Sequence, residues 1–218
     1  MTQHSHSHST EQPAPTKGSM IRWARYYDFT VNMMTLGHAS RLRAMTIERA
    51  LIQPGDSVLD VGCGTGEVAL RAKMRTGGGQ VFGIDPAPEM IATARKKATR
   101  RNREIDFRVG VIEALPFPDS SLDVVTSSLM MHHLPDDLKV RGLREIYRVL
   151  KPGGRLLIAD FMRPTSSFVN HLFLAVTHHR GLKYGIEDLR KLLNEAGFSN
   201  VTQPDGNILF VGFVRAMK

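Results

Sequence analysis

A single cysteine, Cys63, in 218 residues excludes an internal disulfide and a cysteine-rich metal centre. Nothing then points to an oxidising compartment, and a cytoplasmic location is the default. Long apolar runs are also missing. No stretch reaches the ~20 residues of a membrane span, and the opening MTQHSHSHSTEQPAPTKGS has no apolar core of signal-peptide length. Residues 1–19 therefore read as a disordered tail, whose alternating His4, His6 and His8 suit a flexible remnant better than a transition-metal site. Acid is scarce, with 21 Asp and Glu against 29 Lys and Arg, a formal charge of +8. Such a balance favours acidic partners, either nucleic acid or an anionic bilayer. Part of the excess is local: Arg95, Lys96, Lys97, Arg100, Arg101 and Arg103 read as the solvated end of a surface helix, where cations suit the negative pole of the helix dipole.

What is present is an alternation of short apolar runs with helical patterns, the signature of a parallel sheet covered on both faces. Strands are expected at 57–62, 80–85, 105–110, 122–128 and 154–161, and helices at 67–75, 86–101 and 136–150. In the last helix Leu143, Ile146, Tyr147 and Leu150 recur on one face. Lys151-Pro152-Gly153-Gly154 should end that helix and turn the chain into the next strand. Ile186–Ala196 reads as a helix closed by Gly197. After it FSNVTQP and NILFVGFVRA read as two antiparallel strands joined tightly at Asp205-Gly206. The predicted fold is α/β, a Rossmann-like sheet of seven strands in which five parallel strands are finished by an antiparallel hairpin, in a single domain over 20–218. Residues 20–51 should form helices outside the sheet, and 163–185 an insertion. Both are candidate lids over the carboxyl ends of the strands, where open α/β sheets bind ligands.

The segment VLDVGCGTG leaves a strand and enters a helix through Gly62, Gly64 and Gly66. Glycines there tighten the turn and let a ligand meet backbone N–H groups. Asp85, nineteen residues beyond Gly66 at the end of the next strand, is placed to accept hydrogen bonds from ribose hydroxyls. Together they point to a nucleoside ligand. The spacing is not that of a dinucleotide fingerprint, and no Lys-Ser/Thr follows to make a phosphate-binding P-loop. Asp60, just before the turn, would repel a pyrophosphate and attract a cationic amino-acid moiety.

Four segments, VLDVGCGTG, GIDPAPEMIATAR, EALPFPDSSLDVV and EIYRVLKPGGRLLIADF, come in an order and spacing that resembles the class I S-adenosylmethionine-dependent methyltransferases. Within these, YYDFTVNMMTLG, ALPFPD and YRVLKPGG are similar to the ubiquinone/menaquinone C-methyltransferase-like group. The resemblance implies that Gly62, Gly64 and Gly66 line the methionine portion of S-adenosyl-L-methionine, with Asp60 near its amino group. It places Asp85 on the ribose, Ala87 or Met90 against the adenine, and Ser128 and Leu129 near the sulfonium. Tyr27, with Asp28 and Asn32, looks like the family's lid motif. The family usually carries Asp or Asn where this chain has Val111, so adenine recognition should lean on the Ile112 backbone and apolar packing.

Methyl transfer from a sulfonium needs the acceptor held in line and dry; a base is needed only when the acceptor must lose a proton. His132, His133 and Asp160 are the candidates for that role. Adjacent residues on a turn point in different directions, so one histidine at most should face the pocket. No zinc site is expected from His171, His178 and His179, which lack Cys or acidic partners at ligand spacing. The acceptor implied is a small lipophilic or aromatic molecule: a quinone precursor, an aromatic metabolite or a lipid headgroup. A nucleic-acid acceptor is disfavoured, because SSLMMHH replaces the Asn/Asp-Pro-Pro-aromatic clamp for a flipped base. A non-catalytic nucleoside-binding module is the other alternative. Phe168, Leu172, Phe173, Leu174 and Val176, followed by basic residues, suit either a lid helix or peripheral contact with an anionic membrane.

Overall fold

The computed structural model describes Thr16, residues 24–163 except the Arg25 side chain, and residues 185–218. The expected tail, 1–19, falls outside these residues save for Thr16, as does the body of the 163–185 insertion with its histidines and apolar run.

Seven strands form one sheet: β1 (Val58–Val61), β2 (Val81–Asp85), β3 (Asp106–Val109), β4 (Leu122–Ser128), β5 (Leu150–Phe161), β6 (Ser199–Thr202) and β7 (Val211–Met217), in the order β3-β2-β1-β4-β5-β7-β6. The first five run parallel, and β7 lies antiparallel to both β5 and β6. One strand is thus reversed, as expected. All four residues of β1 are buried, as in a strand covered on both faces. Val58 and Val124 join one core and Leu59 and Val125 the other, the period-two alternation of strands. Helices α2 (Ala39–Arg49), α3 (Glu67–Thr76) and α4 (Pro88–Arg100) pack on the first core through Leu42, Leu70 and Ile91. On the second core α5 (Asp136–Val149) and α6 (Leu189–Glu195) contribute Leu143, Ile146 and Leu193. The α5 sequence places Asp136 and Asp137 in its first turn, next to the positive helix pole, and its buried residues on one stripe. Upstream, α1 (Ala24–Met34) precedes α2, the two helices expected outside the sheet.

Three expectations are corrected. The connection between β6 and β7 is not a tight turn at Asp205-Gly206, because Thr202 pairs with Arg215. Arg49 of α2 donates to the Asp205 carbonyl and pins that segment as a loop, while the close turn falls at Ile208–Val211, whose backbone groups bond reciprocally at 2.9 and 2.8 Å. The Lys151-Pro152-Gly153-Gly154 stretch belongs to β5, which starts at Leu150 opposite Leu122; the pairing then slips before Val124 meets Arg155. Gly153, at φ +78°, takes up that irregularity. Finally, Ile186–Asp188 is a 3₁₀ turn and only Leu189–Glu195 is α-helical.

Candidate functional site

Strand order reverses between β1 and its neighbours β2 and β4, and the crevice of an open α/β sheet lies at the carboxyl ends there. From β1 the chain passes through Gly62, Gly64 and Gly66, all at positive φ, into α3. The two glycines that border the crevice are overlaid. A side chain on Gly62 would run into Met130, and one on Gly64 would come within 3.2 Å of the Tyr27 ring. Gly66 differs, since a Cβ there would meet Phe107 at 2.7 Å and Ala94 at 2.9 Å. Its bareness serves the packing of α3 on α4 and β3, and it does not border the crevice.

Two compartments adjoin at Tyr27, Gly62 and Leu129, residues they share. The larger, about 680 Å³ and open to solvent, is lined by Ile84, Asp85, Met90, Val111, Ile112, Glu113, Met130, His133 and Leu134, among others. Asp85, at the end of β2, accepts from Gly64 N–H at 3.0 Å and from Ala87 N–H at 2.9 Å. The Ala87 side chain itself is buried against Met90. Burial raises the Asp85 carboxyl to about 6 despite those two donors. Each carboxylate oxygen keeps a second lone pair for a ligand hydroxyl. Ile112 borders this space, while its side chain packs on α5 where Gly142 leaves room. The smaller compartment is mixed, with Arg43, Asp60, Glu67 and Ser128 set beside Val31, Leu42 and Val68. Asp60 is buried with Thr126 Oγ1 donating to it at 2.7 Å, and burial raises it to about 7.

Helix α1 covers both compartments. Burial and the nearby Asp85 push the Tyr27 phenol above its ordinary value, so it remains a neutral hydrogen-bonding group. Next to it, Asp28 accepts from Arg43 of α2 at 2.8 Å, from Thr65 of the glycine turn at 3.0 Å, and from Lys97 of α4. Lys97 also donates to Glu67 at 2.9 Å, and Arg101 joins the same carboxylate at 3.0 Å. Burial alone would raise Glu67; the hydrogen bonds from Arg101 and Lys97 outweigh it and hold Glu67 at about 2. The basic run is thus not simply a solvated helix end, since Lys97 and Arg101 tie α4 to the glycine turn while Arg95 caps the Phe107 carbonyl.

The paired histidines part company. His133 lines the larger compartment. The His132 ring is buried, with Nδ1 2.7 Å from Asp160 Oδ1, and lies 4.7 Å from the Phe161 ring, bordering a separate small cavity with Lys139. Backbone N–H groups of His132 and Phe161 also donate to Asp160. Burial would raise that carboxyl, but His132 and these donors hold it below its ordinary value. The two imidazole centroids lie 3.9 Å apart with their planes tilted by 42°. Asp160 and His132 therefore stand behind His133, outside the crevice. Three residues absent from the sequence expectations take part in the crevice: Arg43, Glu113 and Met130. Their partners lie far away in the chain, so no local pattern marks them.

A methyltransferase domain model matches residues 58–154. A demethylmenaquinone methyltransferase of Thermus thermophilus is 40% identical over 63% of this chain and 62% of its own length. An arsenite methyltransferase of Halobacterium salinarum is 37% identical over 70% of this chain and 39% of its own. A ubiquinone/menaquinone biosynthesis C-methyltransferase of Geobacter sp. is 35% identical over 72% of this chain and 69% of its own length. The chain thus spans less than two thirds of the first two of these relatives. A crystal structure of an S-adenosylmethionine-dependent methyltransferase from Aquifex aeolicus superposes with a TM-score of 0.66 at 23% identity, covering 86% of this chain and 97% of that one, a likeness of fold. The chain belongs to the class I S-adenosylmethionine-dependent methyltransferases and is similar to their ubiquinone/menaquinone C-methyltransferase-like members.

Proposed function

We propose that this chain transfers a methyl group from S-adenosylmethionine to a small lipophilic or aromatic acceptor, such as a quinone precursor, an aromatic metabolite or a lipid headgroup. The observation that carries the reading is the division of the crevice, a compartment bearing the charged Arg43, Asp60 and Glu67 joined through Gly62 and Leu129 to a largely apolar one around Asp85. That division fits a ligand with a zwitterionic amino-acid end and a nucleoside end. Asp60 would take the ammonium, Arg43 the carboxylate and Asp85 the ribose, while Met90 and the Ile112 backbone flank the base. Ser128 and Leu129 would lie beside the sulfonium. When bound, S-adenosylmethionine supplies an electrophilic methyl. The chain's own part is to exclude water and align the acceptor, which Tyr27, Met130 and Leu134 serve by walling the space.

His133 is the titratable side chain placed to accept an acceptor proton, and the Asp160–His132 pair fixes the turn that carries it. Cys63, the only thiol, is buried and pushed well above its usual range, which argues against thiolate-dependent arsenic chemistry. Incubation with methyl-labelled cofactor and a panel of quinone precursors, phenols, phospholipids, arsenite and RNA tests the reading. Label entering a lipid-extractable small molecule is expected, and His133→Ala should slow a proton-requiring transfer about 10²-fold or more. Label entering RNA alone would contradict it.

A lipophilic acceptor resides in a membrane, and one face of α1 suits that location. Tyr26, Phe29 and Met33 of α1, at helical spacing, and Leu36 just beyond its end are each 60% or more exposed, on a chain of net charge +8. No helix among the described residues is long and apolar enough to cross a bilayer, so the contact would be peripheral. Sedimentation with vesicles of graded anionic lipid should bring the protein down, less so at high salt. Phe29→Ser with Leu36→Ser should abolish this; wild type remaining in the supernatant at every composition contradicts membrane contact.

A further inference from the structure

We propose that the groove between α2 and α3 binds an anionic phospholipid, with its phosphate between Arg71 and Arg75. The inference deepens the membrane contact described above and rests on it. The groove, about 550 Å³ and open to solvent, is lined by Ala44 and Ile47 of α2 and by Arg71, Met74 and Arg75 of α3. It shares no lining residue with either compartment of the crevice. Arg71 and Arg75 stand four residues apart, so they leave the same face of α3 with about 5–6 Å between their Cβ atoms. Met74 stands beside them and is 68% exposed.

Both guanidiniums lack an anion among the described residues. Arg71 Nη2 donates to Ser40 Oγ at 2.9 Å, and Arg75 Nε to the Ile52 carbonyl at 3.3 Å, and both of these acceptors are neutral. Glu48, the one acid of α2, does not line the groove, and Glu67 of α3 is held by Lys97 and Arg101. A phosphate has the acceptors for two guanidinium forks. The floor of Ala44, Ile47 and Met74 suits the first carbons attached to it, an apolar lining with a few polar groups that fix orientation.

Position selects a lipid over an acidic peptide. Ser40, which accepts from Arg71, lies four residues beyond Leu36, the last of the exposed apolar side chains that begin at Tyr26. Apolar side chains at the acyl boundary and arginines at the level of the phosphates are the two parts of an interfacial anchor, and here they adjoin. An acidic peptide would answer the arginines and leave the α1 stripe in water.

Titration with dihexanoyl phosphatidylglycerol below its micellar concentration reads the groove without a bilayer. The methyl resonance of isotope-labelled Met74 should shift and saturate. Zwitterionic phosphatidylcholine of the same chain length, and inorganic phosphate alone, should each bind at least fivefold more weakly. Arg71→Gln with Arg75→Gln should remove the shift, with the unfolding midpoint reporting an intact fold. On phosphatidylglycerol vesicles that double variant should lower the partition coefficient about tenfold or more. Arg141→Gln with Arg144→Gln removes the same charge from exposed positions on α5, on the other face of the sheet, and should change it less than threefold. Equal losses in the two double variants, or a Met74 resonance that does not move, overturn the site and leave contact through Phe29 and Leu36 standing. Wild type that ignores vesicles of every composition contradicts both.

Discussion

Asp60 and Asp85, assigned above to opposite ends of the proposed ligand, are each held away from their solution behaviour by burial. Both folded values, about 7 and about 6, lie above the ordinary carboxylate range. The stability these groups contribute is therefore full below about pH 4 and is lost as pH rises through 6 and 7. The ligand-free protein should melt at a lower temperature at pH 8 than at pH 5, and S-adenosylhomocysteine should raise the midpoint more at pH 8, because its ammonium stabilises ionised Asp60. Differential scanning fluorimetry at the two pH values checks this; equal ligand shifts would contradict it. The glycines separate binding from packing. Gly66→Ala should lower stability by about 1–3 kcal/mol, since the methyl meets Phe107 and Ala94 at a positive φ. Asp85→Ala should instead weaken S-adenosylhomocysteine binding tenfold to a hundredfold. Both positions were legible in the sequence from their spacing, but the packing role of Gly66 was not, because Phe107 and Ala94 come to it from other elements. The parting of His132 from His133 was foreseeable only as a rule about neighbours on a turn. Which one faces the crevice depends on Asp160, 28 residues away.

Helix α1 is held over the crevice by one carboxylate with three partners, Arg43, Thr65 and Lys97, on three different elements. Exposed ion pairs contribute little singly, whereas a shared and partly buried network is worth more. Asp28→Ala should therefore loosen α1 without melting the sheet. Amide exchange in 26–34 should speed at least tenfold, and S-adenosylhomocysteine should leave faster, with β4 and β5 as protected as before. Unchanged exchange in α1 would contradict the latch. The helices and strands themselves were readable from periodicity and turn residues, as Leu143 and Ile146 of α5 show. Two features were not. The Asp205-Gly206 turn signal is overridden by Arg49, more than 150 residues earlier, and the sequence gives Lys97 and Arg101 no sign of their acidic partners, which lie on other elements.

Across the whole molecule, the reversal of strand order at β1 gathers the glycine turn, Asp85, the 110–113 turn and His133 at one end of the sheet. Alternating strand and helix patterns made that topology legible, and the Asp60–Gly66 and Asp85 spacing made the ligand class legible. The acceptor was less so, because the walls of the proposed space for it come from α1 and the segment after β4, far apart in the chain. The central claim is that this crevice holds S-adenosylmethionine with its ammonium at Asp60 and its ribose at Asp85. Isothermal titration with S-adenosylhomocysteine from pH 5.5 to pH 8, in buffers of differing ionisation enthalpy, tests it most directly. The account predicts one site whose affinity rises with pH, with proton release on binding below pH 7 that disappears in Asp60→Asn. Absence of binding, or binding with neither pH dependence nor proton release, would contradict it.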